Sequence, residues 1–98
     1  EFDYLEPKDE IEVVFKRTGA NKDRVADLVS VATMARKAFD DRQIFTTFSL
    51  RKLLNMGKMI AIGEPITTAM KYVVYSKCTR EDKLLIEEIV NRVVEHVS

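Results

Sequence analysis

The sequence predicts an all-α fold, a small bundle of about five helices preceded by a short extended segment. Three observations predict it. Apolar residues recur at helical spacing in five successive stretches, and cap or breaker residues separate these stretches. The 98 residues also contain no repeat, low-complexity run or internal boundary. We therefore expect residues 1–98 to form a single helical domain.

The first elements are predicted by their end signals. The initial EFDYL alternates apolar and acidic side chains at period two, which predicts the short extended segment. Pro7 suits the first turn of a helix that ends at Gly19. Asn21 is placed to cap a second helix, whose apolar positions keep the helical period over about four turns. These positions are Val25, Leu28, Val29, Ala32, Ala35 and Phe39.

The stretch DDRQIFTTF lacks a helical period and is predicted to be a loop or a brief extended piece. A third helix then begins near Thr47 or Ser49. Its apolar side chains cover most of its circumference, which predicts that it is the central helix. Gly57 lies inside it at a cost in helix propensity, and the close approach of another helix would explain that glycine.

The remaining chain predicts two further helices. The sequence GEP ends the third helix, and a fourth follows with apolar residues from Ile66 to Val74. Thr79 is placed to cap a fifth helix with Glu81 and Asp82 in its first turn. The apolar seam of that helix is formed by Leu85, Ile89, Val93 and Val97.

Charge and composition limit the function. The chain has 16 basic and 16 acidic residues, so it lacks the global positive field of nonspecific nucleic-acid binders, although residues 13–58 hold ten bases against four aspartates. The single cysteine, Cys78, fits a reducing compartment. No apolar run is long enough to span a membrane, and the acidic start does not resemble a signal peptide. We expect a cytoplasmic protein without membrane association.

The usual catalytic constellations are missing from the sequence. His96 is the only histidine, so a hydrolase triad and a histidine metal site both lack parts. The adjacent acids Glu87 and Glu88 are more typical of a solvated surface than of an acid-base pair. There is no G-x-x-x-x-G-K-[ST] phosphate loop. We therefore expect no metal site and no enzyme activity from these residues alone.

Arg51 is the candidate functional residue. It stands near the predicted start of the third helix, where a cation opposes the helix dipole. The planar fork of an arginine on a rigid helix can meet two phosphate oxygens, and the helix N-terminus itself favours an anion. A solvated arginine and one paired with a local carboxylate are the alternatives, and spacing alone does not separate them.

The order of three segments carries a family resemblance. EFDYLEPKDEIEVVFKRTG, LVSVATMARKAF and FSLRKLLNMGKMIAIGEPITTAMKYVV together resemble the C-terminal part of MoxR-type AAA+ ATPases, most closely the CbbQ/NorQ branch. In that group a strand ending in an EFDYP-like sequence leaves the nucleotide-binding core. An acidic P-x-x-E helix follows, and an S-T-R-x-L element later opens a helix of the lid. Here that element reads Ser49, Leu50, Arg51, Lys52 and Leu53.

The resemblance implies a helical lid subdomain whose nucleotide-binding core, with both Walker motifs, precedes residue 1. Arg51 would be the sensor 2 residue that reaches the terminal phosphate of ATP. Residues 1–7 would form the junction with the core, and the segment from Tyr4 to Ile11 would lie near the adenine and act as a hinge. ATP with Mg²⁺ would be the cofactor of the full-length protein and would bind this chain alone only weakly.

The resemblance also implies partners and leaves alternatives. The partners would be the core of the same protein, neighbouring subunits of a ring oligomer and a client protein, which a chaperone-like ATPase remodels or activates. A standalone helical protein-interaction module is the first alternative. A small DNA-binding helical domain that uses the basic excess of residues 13–58 is the second, although the balanced net charge disfavours nucleic acid.

Overall fold

A computed structural model describes residues 5–95 and, within them, the side chains up to Val94. Its elements are helices α1 (Pro7–Thr18), α2 (Lys22–Asp40), α3 (Leu50–Ala61), α4 (Ile66–Val73) and α5 (Arg80–Glu95). A short 3₁₀ turn, Tyr75–Lys77, separates α4 from α5. The all-α prediction is confirmed for this part of the chain. Residues 1–4 of the predicted extended segment, which include Tyr4, lie outside the described residues, as do His96 and Val97.

The predicted helix ends are confirmed by their hydrogen bonds. The Asn21 side chain accepts from the backbone N–H groups of Asp23 at 2.9 Å and Arg24 at 3.2 Å. Gly19 closes α1 in the left-handed region with φ 72°, where a residue without Cβ is least strained. Thr79 Oγ1 accepts from the N–H of Asp82 at 3.2 Å and so caps α5.

The helices pack around one apolar core. Helix α1 lies against α2 and α3, α3 also contacts α4, and α2 contacts α5. The buried apolar side chains of α2 line the face that points into the core, and they follow the predicted helical pattern. They are Val25, Leu28, Val29, Val31, Ala32, Ala35 and Ala38, whereas Phe39 at the helix end is partly exposed.

Helix α3 is less enclosed than its sequence predicts. Leu53, Met56 and Ile60 are buried, but Arg51 and Lys58 are exposed. Further apolar side chains at the edges of its inner face are only half-buried, namely Leu50, Leu54 and Met59. Helix α3 contacts α1, α2 and α4, in agreement with the prediction of a central helix, but its face with Arg51 and Lys58 is not enclosed. It is amphipathic, because three neighbouring helices cover one side of it and leave the other to solvent.

The close approach predicted at Gly57 is confirmed. A Cβ atom at this position would lie 2.9 Å from both Val14 Cγ1 and Thr18 Cγ2 of α1. Real Cβ contacts are longer, so only glycine lets the two helices approach this closely without rearrangement. Helix α1 is thereby held against the middle of α3.

The loop between α2 and α3 is fixed by two buried side chains. Ile44 and Phe48 insert into the core from residues 41–49, whereas Phe45 is 80% exposed. The loop prediction for this stretch is confirmed, and the two insertions explain why it is nevertheless rich in apolar residues. The loop delivers the chain to the start of α3, where Arg51 is located.

Candidate functional site

The start of α3 is well ordered by local hydrogen bonds. Ser49 adopts an extended conformation, and its side chain accepts from the N–H of Lys52 at 3.3 Å. The Ser49 carbonyl accepts from the N–H of Leu53 at 3.2 Å, which closes the first turn. This turn contains no acidic residue. A serine cap thus fixes the backbone from which Arg51 projects.

Arg51 is exposed, and it forms no hydrogen bond or ion pair with any residue of 5–95. The alternative of a local carboxylate partner therefore finds no support within the described residues. An exposed cation at a helix start costs little while water screens it. Its five N–H donors are available to an anion that approaches this end of α3.

The neighbouring cation, Lys52, is used by the chain itself. Its Nζ donates to the carbonyl of Thr47 at 2.6 Å. Partial burial lowers the pKa of Lys52, and the nearby positive charge of Lys77 lowers it further. Two consecutive basic residues at one helix start therefore differ. Lys52 folds back on the loop, whereas Arg51 points its charge to solvent.

Of the other two predicted site residues, only Ile11 is among the described residues. Tyr4 lies outside the described residues. Ile11 is half-buried in the second turn of α1 and packs against the core. Its helix contacts α3, which carries Arg51. The segment Pro7–Ile11, predicted as part of a hinge, is regular helix in which Glu10 is buried and residues 7–9 are exposed.

A buried ion pair near this site was missed by sequence reasoning. Arg36 Nη1 and Nη2 donate to the two carboxylate oxygens of Glu10 at 2.7 and 2.8 Å, and Arg36 Nε donates to the carbonyl of Phe48 at 2.8 Å. Glu10 is 2% exposed and Arg36 is 8% exposed. One guanidinium thus joins α1, α2 and the residue that precedes the Ser49 cap.

A signal for this pair is present in the sequence. Glu10 is the acid of the P-x-x-E element and stands one helical turn before buried Val14. Arg36 likewise follows buried Ala32 by one turn. Each helix therefore carries one charge of opposite sign on its apolar stripe, and such charges are rarely buried unless they are paired.

A second buried acid fixes the same loop from the other side. Asp82 of α5 is 2% exposed, and its Oδ2 accepts from the N–H of Phe45 at 3.0 Å and from Thr46 Oγ1 at 2.6 Å. The sequence assigned Asp82 only to the first turn of its helix. Together with Arg36, it ties both halves of the 41–49 loop to the bundle before α3 begins.

The other reactive side chains of residues 5–95 form no cluster of catalytic groups. Cys78 is half-buried, and its Sγ–H donates to the Tyr75 carbonyl at 3.7 Å. Burial raises the pKa of the Cys78 thiol, and the negative charge of Asp82 raises it further, so the less nucleophilic thiol form is favoured. Among residues 5–95, no three His, Cys, Asp or Glu side chains converge on a metal-sized site. None of the described helices is sufficiently long and apolar to cross a membrane.

Comparison with known families identifies the chain. Residues 10–97 match the sequence model of the CbbQ/NirQ/NorQ C-terminal family. The matched range contains Glu10, Arg36 and Arg51, and it excludes Tyr4. The search of curated proteins finds no match. Since the family model covers most of its length, the chain belongs to the CbbQ/NirQ/NorQ C-terminal family, as its resemblance to the lid subdomain of MoxR-type AAA+ ATPases predicts.

Proposed function

We propose that this chain is the lid subdomain of an AAA+ ATPase and that Arg51 is its sensor 2 residue. In this role the lid closes over ATP held by the nucleotide-binding core of the same protein, and the Arg51 fork binds the terminal phosphate. The observation that carries the proposal is the state of Arg51, which is held at a capped helix start and has no partner among the described residues.

The residues present fit a phosphate but not a metal ion. Arg51 offers a planar set of donors, and the N-terminal end of α3 adds a favourable potential for a negative group. An anion beside Arg51 would also remove the unfavourable interaction between this cation and the helix dipole. No cluster of acidic or histidine ligands accompanies it within residues 5–95. Mg²⁺ would therefore be held by the core, which would also supply most of the contacts to ATP.

The position of the lid would depend on whether ATP is bound, because Arg51 would contact its terminal phosphate. ATP supplies the phosphoanhydride bond that is hydrolysed, and Arg51 binds the phosphate, helps to orient it and stabilises its negative charge. Because the first buried residue of α1 is Glu10, any bend between core and lid would lie before Glu10. Movement of the lid would then act on a neighbouring subunit of a ring and, through it, on a client protein.

The experiment is an arginine truncation in the full-length protein with a matched control. Arg51→Ala should lower the turnover of ATP by about 100-fold, as the loss of a single charge-stabilising donor does in other enzymes. It should also abolish nucleotide-dependent closure of the lid, measured as a change in distance between labels on core and lid. Lys58→Ala removes another exposed cation of α3, in its last turn, and should leave both measurements unchanged.

Unchanged turnover together with unchanged closure in Arg51→Ala would refute the sensor role. A nucleotide titration of the 98-residue chain provides a second check. Its amide resonances should shift weakly or not at all with ATP, because one exposed arginine supplies few of the required phosphate contacts. Tight binding of ATP by this chain alone would contradict the division of work between lid and core.

A further inference from the structure

A set of three residues links the start of α1 to the start of α3, and we call it the clamp. It consists of Glu10, Arg36 and the backbone carbonyl of Phe48, joined by three hydrogen bonds of 2.7–2.8 Å. Phe48 is buried and lies three residues before Arg51. A side chain of α2 thus connects the helix that enters the bundle with the helix that carries the candidate phosphate ligand.

The chemistry of the clamp gives a defined geometry. An arginine fork that meets both oxygens of one carboxylate fixes distance and orientation together, and it leaves Nε to make a third bond at a set angle. Burial strengthens each bond and excludes water as a competing partner. A shift of Glu10 is therefore passed to the Phe48 carbonyl through a planar, rigid group.

Stability alone does not explain a buried pair of this kind. Removing two charges from water is costly, and apolar side chains of similar size often fold as well. What an apolar pair lacks is direction, because it would leave the Phe48 carbonyl without the Nε–H donor. The clamp thus fixes the position of the end of the 41–49 loop. Apolar packing alone would fix that position less precisely.

Two other contacts make the linkage effective. Helix α1 is held against α3 a second time at Gly57, where Val14 and Thr18 leave no room for a Cβ atom. The loop itself is held on its other half by Asp82 of α5. Helices α1 and α3 are therefore tied at two places, at Gly57 and through the clamp at the start of α3.

We propose that Glu10 and Arg36 are positioning residues that set the placement of Arg51 relative to the chain entering at α1. This inference rests on the proposed role of Arg51 in binding the phosphate. Because Glu10 and Arg36 are buried, they would not touch the nucleotide themselves. They hold Phe48, and through it the Ser49 cap, so that closure of the lid brings the Arg51 fork to the terminal phosphate.

The main test replaces the clamp by an apolar pair in the full-length protein. The Glu10→Leu/Arg36→Met variant should remain folded, with a melting temperature within about 5 °C of the parent. Its kcat for ATP hydrolysis should fall by about 10-fold to 100-fold, because a misplacement near 1 Å is enough for such a loss. Its KM for ATP should stay within about twofold, since the core retains most ground-state contacts.

The matched control is the Glu12–Lys22 ion pair, which also joins α1 to α2 but is half exposed and lies apart from the hydrogen bonds that hold the 41–49 loop. Glu12→Leu/Lys22→Met should leave kcat unchanged. Arg36→Lys is a second test of the clamp in case the apolar pair does not fold. It keeps the positive charge beside Glu10 but loses the fork, so it should fold and should still show a reduced kcat.

Hydrogen exchange supplies a readout that does not depend on catalysis. In the clamp variant, the amides of Lys52 and Leu53 in the first turn of α3 should exchange faster, whereas those in the last turn should not change. Adding the clamp substitutions to Arg51→Ala should cause no loss of kcat beyond that of Arg51→Ala alone, because the clamp acts through Arg51. A multiplicative further loss would overturn the inference.

The outcomes separate the two proposals. If Arg51→Ala is impaired while the folded clamp variant has parental kcat and parental exchange, the clamp inference is overturned and the sensor role stands. If both variants turn over ATP like the parent, both proposals are overturned. Reduced kcat in the clamp variant and in Arg36→Lys, with the control pair unaffected and α3 exchange accelerated, supports the clamp.

Discussion

Arg36 and Arg51 are two arginines on neighbouring helices, and the molecule treats them in opposite ways. Arg36 is 8% exposed, and its guanidinium makes three bonds to Glu10 and Phe48. Arg51 is exposed and has no hydrogen bond or ion pair with the rest of the described chain. Both lie close to the start of α3 in the chain or in space. Arg36 holds the end of the preceding loop at Phe48, and Arg51 lies in the first turn of the helix itself.

The difference separates a cation that the fold buries and pairs from one that it leaves exposed. A buried charge must be satisfied by its own protein, since leaving it unpaired is expensive. An exposed charge carries no such requirement and contributes little to stability. We therefore expect loss of Arg36 to lower the stability of the fold. Loss of Arg51 should leave stability nearly unchanged and impair function.

The largest expected effect is on stability when one half of the buried pair is removed. Glu10→Ala and Arg36→Ala should each lower the free energy of unfolding by about 3–5 kcal/mol, because each leaves an uncompensated buried charge. Arg51→Ala should change it by less than about 0.5 kcal/mol. Urea unfolding of the three variants measures this directly. Equal losses for Arg36→Ala and Arg51→Ala would remove the distinction between the two arginines.

A smaller loss is expected at Asp82, which fixes the other half of the 41–49 loop. Asp82→Ala leaves the Phe45 N–H and the Thr46 hydroxyl without their acceptor and should cost about 1–3 kcal/mol. Glu81→Ala removes the exposed neighbouring acid and is the matched control. Unfolding in urea should separate them. A loss at Asp82 no greater than that at Glu81 would mean that the loop is not held from this side.

The smallest expected effect is on the pH dependence of stability and comes from the phenol of Tyr75, which stays protonated in the folded protein. Burial, and then the charges of Glu87 and Cys78, raise the pKa of Tyr75 from 10.0 to about 12. The unfolded chain loses this proton near pH 10 while the folded chain keeps it, so stability should fall as pH rises from about 10 to about 12. Ultraviolet titration of the phenolate should show the late ionisation.

Tyr75→Phe is the control for that titration. It should lack this pH-dependent part of the stability, so the difference in stability between parent and variant should change with pH only between about pH 10 and pH 12. A difference that stays constant through this window would show that Tyr75 does not titrate late. The result would sharpen the contrast with Arg51, whose charge the fold leaves in water.

Much of the fold could be predicted from local sequence signals. Asn21, Gly19 and Thr79 act at helix ends through their own backbone and side-chain chemistry, which does not depend on distant residues. Gly57 could be predicted because a glycine inside an apolar helix lowers helix propensity, a cost that close packing of a second helix offsets. The 3₁₀ turn Tyr75–Lys77 was not predicted, because three residues carry no period.

The charged interactions could not be predicted from local pattern. Sequence reasoning treats acids and bases as solvated by default, so it placed Glu10 and Asp82 at helix starts and found no use for Arg36. Their partners lie 26, 36 and 37 residues away in sequence, at distances that only the fold brings close. Arg51 was predicted as a candidate from its position at a helix start, and family resemblance supplied its sensor 2 role; the structure adds that no local carboxylate neutralises it within residues 5–95.

The central claim is that Arg51 is held free for a phosphate while Arg36 is committed to the fold. Arginine-selective dicarbonyl labelling of the full-length protein, read residue by residue by mass spectrometry, tests both halves at once. Arg51 should label rapidly without nucleotide and slowly with a non-hydrolysable ATP analogue, and Arg36 should remain unlabelled in both states. Equal labelling of Arg51 with and without the analogue would contradict the account.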